Sequence, residues 1–304
     1  MTAPAPLSEP APAAGITGQL AAFSRDIKLS HSVFALPFAL SAAWLVSRAA
    51  PVPLLDWLWI ALAMVAARSS AMGMNRITDR RIDAANPRTA DRELAAGRLT
   101  IGWAWALTLG SAGLFVLMAG LLHPTALLLS PAVLLWLWGY SLAKRWTALC
   151  HLWLGVALGL SPVCVWIALT GTVAPAAWVM AGVIATWVGG FDILYALQDE
   201  GYDADVGLHS IPAWLGARRA LAVSAGLHLV TAGLLVALPF TLGPAQALGW
   251  PYGLGAAAIV GILLWEHRLV KPDDLSQMNK AFFTANSWVS VIFLGSVLAA
   301  SFVG

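Results

Sequence analysis

Residues 54–83 read LLDWLWIALAMVAARSSAMGMNRITDRRID, and this stretch decides the fold. Between Trp57 and Met74 the only charged residue is Arg68. That apolar run is long enough to cross a bilayer as a helix, which takes about 20 residues. Its downstream end carries Asn75, Asp79 and Asp83 in steps of four. Each such step turns a helix by only about 40°, so the three side chains share one narrow face.

Runs of the same kind recur near residues 30–48, 101–121, 125–143, 150–170, 175–197, 217–239, 245–266 and 282–302. With the span near 54–76 they predict an all-α polytopic membrane protein of about nine transmembrane helices. Composition agrees: the 304 residues are 60% hydrophobic and 11% charged, with a mean hydropathy of +0.78, whereas soluble domains carry about 25% charged residues. A net charge of +2 speaks against a nucleic-acid partner. Residues 1–20 are rich in Pro and Ala and lack the basic and apolar regions of a secretory signal. They are expected to be a disordered cytoplasmic tail before one transmembrane domain over 21–304. Cys150 and Cys164 have no metal-ligand spacing.

Orientation follows from the basic residues. With nine spans and a cytoplasmic N-terminus, every Lys and Arg except Arg48 and Arg68 falls on the cytoplasmic side or at its helix ends. All acids but Asp56 and Asp192 fall on that side too, and they concentrate at residues 79–93 and 199–205. Each cluster follows a span, which suggests two pseudo-repeats, each ending its second helix in an Asp motif.

The second cluster runs DILYALQDEGYD from Asp192 to Asp203. Read as one helix, it puts Asp192, Tyr195, Asp199 and Asp203 within about 80°. Clustered carboxylates beside lipid need cations. Mg²⁺ takes one or two carboxylates plus waters and phosphate oxygens, so two such ladders facing each other suit a metal-bound diphosphate. Arg88, Arg92, Tyr140 and Lys144 stand at the same ends of their segments and offer diphosphate contacts of guanidinium and ammonium type. Arg68 lies two turns before Asn75, on the ladder's face but deeper. A charge there marks a functional site by default; the alternative is an internal ion pair with Asp192, and an Arg held that way could still receive an acidic aromatic substrate. His31, near Lys28 on the first span, reads as a polar residue at the interface, with a substrate contact as the alternative; His123, His151, His228 and His267 form no metal-ligand spacing.

Residues 75–98 and 192–212 together resemble the UbiA superfamily of intramembrane aromatic prenyltransferases. The likeness extends through KLSHSVFALPFAL at 28–40 and YSLAKR at 140–145. It is closest to the 4-hydroxybenzoate polyprenyltransferase-like branch, and YALQDEGYDADVGLHSIPAWLG points to the menaquinone enzymes of the futalosine route. The resemblance implies helices around a central cavity and Mg²⁺ ligands at Asn75, Asp79, Asp83, Asp199 and Asp203. It also matches Arg68 and Asp192 to family positions and puts Lys28 where ubiquinone-pathway relatives carry Arg. Arg76 departs from the Asp that often follows the motif Asn, and His209 from a Lys.

The expected function is therefore Mg²⁺-dependent transfer of a prenyl group from an isoprenoid diphosphate to a hydroxybenzoate or dihydroxynaphthoate in quinone biosynthesis. Asp79, Asp83, Asp192, Asp199 and Asp203 would be catalytic; Lys28, Arg68, Asn75, Arg88, Arg92, Tyr140, Lys144 and Tyr195 would bind substrate. The expected place is the bacterial inner membrane, with the site toward the cytoplasm and the prenyl tail in lipid. The rival is a secondary transporter with an intramembrane site at Arg68 and Asp192.

Overall fold

The computed structural model describes residues 13–28, 35–271 and 286–303. Among them it is helical and without β-sheet: α1 Gly15–Asp26, α2 Leu36–Ala49, α3 Leu54–Ala85, α4 Ile101–Leu122, α5 Pro124–Ala143, α6 Cys150–Thr170, α7 Pro175–Ala196, α8 Glu200–Asp205, α9 Ile211–Leu215, α10 Ala217–Ala237, α11 Trp250–Leu269 and α12 Asn286–Ala300. Among the described residues, each expected span overlaps one of these helices. Six segments, α3, α4, α5, α6, α7 with its continuation to Asp205, and α10 with its continuation to Thr241, are long and apolar enough to cross a membrane. In their described parts α2 and α12 are shorter. Residues 1–12, 29–34 and 282–285 of the expected tail and spans lie outside the described residues.

Local chemistry sets the helix limits. Pro124 and Pro175 open α5 and α7, positions where a missing N–H costs nothing. Gly171, at φ 73°, closes α6 in a left-handed cap. The outward faces are apolar, with Leu128, Leu135, Leu229 and Val236 exposed, while Asp79, Asp83 and Arg76 are buried. That inversion is the mark of an integral membrane protein, in which lipid solvates the hydrocarbon and the protein solvates the charge.

Small residues decide which helices meet closely. A Cβ on Gly155 or Gly159 of α6 would sit 2.2 or 2.6 Å from the carbonyls of Ala185 or Ala181 in α7, so only glycine permits this crossing. Helices α2, α6, α7, α11 and α12 then bury one core around Trp187, Phe38 and Phe293. On the other side α3, α4 and α5 pack together, joined by the Trp138 Nε1–H bond to Ser70 Oγ at 3.1 Å.

Residues 15–20 of the expected tail are helical, because α1 already begins at Gly15. Its Gln19 amide donates to the carbonyls of Ala13 and Arg98 and accepts the N–H of Thr100. Phe23 is buried against the loop after α3. Glu93 in that loop accepts from Arg25 at 2.9 Å and Arg98 at 2.7 Å. Burial alone would raise the Glu93 pKa, but these two guanidinium groups lower it. Contacts made far along the chain thus order a segment that composition marks as loose.

Candidate active site

The first ladder lies on the last turns of α3, as its spacing requires. Asp79 and Asp83 are 2% and 5% exposed. Asn75 donates from Nδ2 to Asp79 Oδ2 at 3.2 Å and accepts at Oδ1 from Arg76 at 3.1 Å. Arg76 carries only donors, so the amide orientation is settled, and Asn75 Oδ1 keeps one lone pair. Arg76 also donates to the Asp26 carbonyl at 3.0 Å. The residue that departs from the family pattern thus ties the ladder to α1.

The second ladder is not one continuous helix. Helix α7 ends at Ala196, a 3-10 turn takes Leu197–Asp199, and α8 resumes at Glu200. Three residues wound at 120° rather than 100° rotate the following acids by about 60° relative to Asp192. Asp192, Tyr195, Asp199 and Asp203 nevertheless line one cavity together with Asn75, Asp79 and Asp83. The cavity holds about 180 Å³. Tyr202 crosses it, donating its hydroxyl to the Ile82 carbonyl at 3.1 Å.

Basic side chains sit between the ladders. Arg88 forms a two-pronged pair with Asp199, including an Nε–Oδ1 bond of 2.9 Å, and lies 5.5 Å over the Tyr195 ring. Burial works against its charge, yet the hydrogen bond and charge of Asp199 raise its pKa above the usual arginine value. Arg92 reaches both oxygens of Asp83 at 2.7 Å. Lys144 and Arg145 hold Asp79 at 3.3 and 3.1 Å. Arg88, Arg92, Tyr140 and Lys144 all line the cavity.

Arg68 and Lys28 fall elsewhere. Arg68 lines a second, mostly apolar chamber of about 300 Å³, deeper along α3, with Phe115, Leu137, Phe191 and the buried Ser161. Tyr140 lines both chambers and so forms their junction. A third apolar cavity of about 380 Å³ shares Met64, Phe115, Val133, Leu160 and Cys164 with the second. The alternative of an Arg68–Asp192 ion pair is corrected: Arg68 donates to the Ile27 carbonyl at 3.2 Å, and Asp192 pairs with His151 at 2.7 Å. Arg68 points toward the end of α1 because the carbonyls there lie beside α3. Lys28 follows Ile27, whose carbonyl accepts this bond, and is not among the lining residues of the three cavities. Its low-dielectric surroundings, then Arg76, Arg92 and Arg88, push its pKa below the ordinary lysine value, which places it in the same positive field.

Several lining residues carry little sequence signal. His151 lies in the first turn of an apolar helix, and nothing in its spacing singles it out; Asn86 and Thr89 lie in the loop after α3, Tyr202 in the short α8, and Ser210 at the N-cap of α9. Arg145 was legible only as the neighbour of Lys144. No three His, Cys, Asp or Glu side chains among the described residues converge tightly enough to cage a metal ion. The donor set instead fits a hard divalent cation such as Mg²⁺, which takes one or two carboxylates and completes its shell with waters and phosphate oxygens.

The UbiA prenyltransferase family model matches residues 35–289. The chain is 30% identical to the 4-hydroxybenzoate octaprenyltransferase of Methylobacillus flagellatus over 85% of each chain. It is also 30% identical to that of Citrobacter koseri, over 94% of this chain and 97% of the relative. Among solved structures, the UbiA homologue of Aeropyrum pernix aligns with a TM-score of 0.79 and 31% identity over 90% of this chain and 98% of that one. The UbiA homologue of Archaeoglobus fulgidus bound to DMAPP and Mg²⁺ shares the fold at a TM-score of 0.72 and 16% identity, over 93% of this chain and 99% of that one.

Proposed function

The chain belongs to the UbiA prenyltransferase family, and from that premise we propose that it joins the prenyl group of an isoprenoid diphosphate to the ring of an aromatic acid. The acceptor is a hydroxybenzoate or dihydroxynaphthoate, and the product serves ubiquinone or menaquinone biosynthesis. The observation that carries the reading is the junction at Tyr140. On one side lie two carboxylate ladders with Arg88, Arg92 and Lys144; on the other lies an apolar chamber with a single guanidinium, Arg68, among its lining residues. A diphosphate head, a reactive carbon at the boundary, and an apolar tail with an acidic ring match that sequence of environments.

Asp79, Asp83, Asp199 and Asp203, with the remaining lone pair of Asn75, would hold Mg²⁺, whose charge stabilises the departing diphosphate when bound. Arg88, Arg92 and Lys144 exchange their carboxylate partners for phosphate oxygens and stabilise the same leaving charge. Tyr195 stays beneath Arg88 and orients it. The C–O bond then ionises, and the apolar chamber keeps water from the allylic cation. Rings of Tyr140, Phe115 and Phe191 offer their faces to it. Arg68 takes the acceptor carboxylate, while Lys28 adds to the positive field at the entrance. The acceptor carbon attacks, and its ring proton passes to Asp192.

The distribution of Lys and Arg supports an inner-membrane site facing the cytoplasm, and residues 21–304 are proposed to act as one domain of two related halves. The test is an assay of the purified protein with Mg²⁺, offering geranyl and longer diphosphates against both acceptor classes. Product mass identifies both substrates, and chelation of Mg²⁺ should stop turnover. Absence of prenylated product from every pair would refute the reading.

A further inference from the structure

His151 lies in the first turn of α6, and its side chain is only 4% exposed. Two contacts define its state. The Ile211 backbone N–H donates to Nε2 at 3.3 Å, and Nδ1 lies 2.7 Å from Asp192 Oδ2. A backbone N–H can only donate, so Nε2 must present its lone pair and the ring proton must sit on Nδ1. The chain of donation therefore runs in one direction, from Ile211 through His151 to the Asp192 carboxylate. Both side chains line the cavity, Asp192 the more exposed of the two at 23% against 4% for His151.

The surrounding structure holds this geometry from three sides. The glycine crossing at Gly155 and Gly159 brings α6 within reach of α7, which carries Asp192. The His209 N–H donates to the Lys144 carbonyl at 2.7 Å, which fastens the segment leading to Ile211 beside the end of α5. Ser210 caps α9, accepting the Ala213 N–H, so the Ile211 N–H is held at a rigid helix start. A histidine whose two nitrogens are both committed cannot itself take a proton from substrate. It can fix a neighbour that does.

We propose that His151 is a positioning residue: its Nδ1–H anchors one oxygen of Asp192 so that the carboxylate is held ionised and aimed at the ring carbon that receives the prenyl group. The inference rests on the prenyl-transfer reading above. In the step concerned, the new C–C bond has formed, the ring C–H bond breaks, its electron pair restores aromaticity, and the proton goes to Asp192. The imidazole keeps its own proton throughout. Losing the anchor lets the carboxylate drift, and a misplacement of 1 Å costs about a hundredfold in rate.

The test uses the full-length enzyme with acceptor protonated or deuterated at the attacked carbon. His151→Ala should lower kcat about a hundredfold, leave KM for the isoprenoid diphosphate unchanged, and give a larger isotope effect than wild type, because proton removal now limits turnover. His151→Gln, which offers one donor and one acceptor of similar reach, should restore most of the rate. In an Asp192→Asn background His151→Ala should have no further effect, as expected of residues that act as a unit. His151→Met serves as a second variant that keeps bulk without a strong donor. An isotope effect equal to wild type, independent effects of the two substitutions, or failure of both His151→Ala and His151→Met to fold would overturn the proposal and assign His151 to the scaffold. A wild-type protein that prenylates no acceptor would instead overturn the reaction on which it rests.

Discussion

Replacing Arg68 with alanine should weaken the aromatic acid while sparing the isoprenoid diphosphate. Arg68 lies seven residues before Asn75 on α3, about 10 Å deeper by helical rise, which separates it from the first ladder. Among the described residues it makes one hydrogen bond, to the Ile27 carbonyl, so most of a five-donor fork remains for a carboxylate. A hydrogen bond to a charged group contributes about 1.5–3 kcal/mol, or about ten- to hundredfold in affinity. The apolar lining of the chamber favours the upper end. Arg68→Lys keeps the charge but loses the fork, so its loss should fall between. Titrating each substrate separately into the variant in lipid nanodiscs reads the two affinities. Weaker diphosphate binding with unchanged acceptor affinity would refute the argument and move Arg68 to the diphosphate.

Three further outcomes are expected. Asp79→Ala or Asp199→Ala should abolish turnover in protein that still folds and inserts; substantial product at unchanged Mg²⁺ dependence would count against a site shared by both ladders. Gly155→Ala places a methyl group 2.2 Å from the Ala185 carbonyl and should cost about 1–3 kcal/mol of stability, visible as a lower unfolding temperature, whereas alanine at Gly253, which meets nothing within 4 Å, should not. Glu93 has a native pKa below its ordinary value of 4.5. Its stabilisation is therefore complete above that value and is lost as pH falls through the lower native value. Glu93→Gln should flatten the acid limb of a stability profile below pH 4.5, and an unchanged limb would show that the Arg25–Glu93–Arg98 clasp contributes nothing.

Much was legible in the chain because helical periodicity and hydropathy are local properties. The apolar runs determined an all-α membrane protein, and steps of four determined that Asn75, Asp79 and Asp83 share a face. Two Asp clusters at equivalent helix ends pointed to a paired site. Local periodicity says which residues share a face, however, and not what that face meets. Which helices touch depends on small residues far apart in sequence, such as Gly155 against Ala185. That crossing decided that Asp192 meets His151 rather than Arg68. The 3-10 turn at Leu197–Asp199 decided the rotation of the second ladder, which continuous helical arithmetic misses. Long-range hydrogen bonds from Gln19 and Arg76 decided that α1 begins within the segment whose composition reads as a loose tail. Pairing of buried charge is a tertiary choice, because each carboxylate can be satisfied by any cation that packing brings within about 3 Å, and only the folded bundle selects among them.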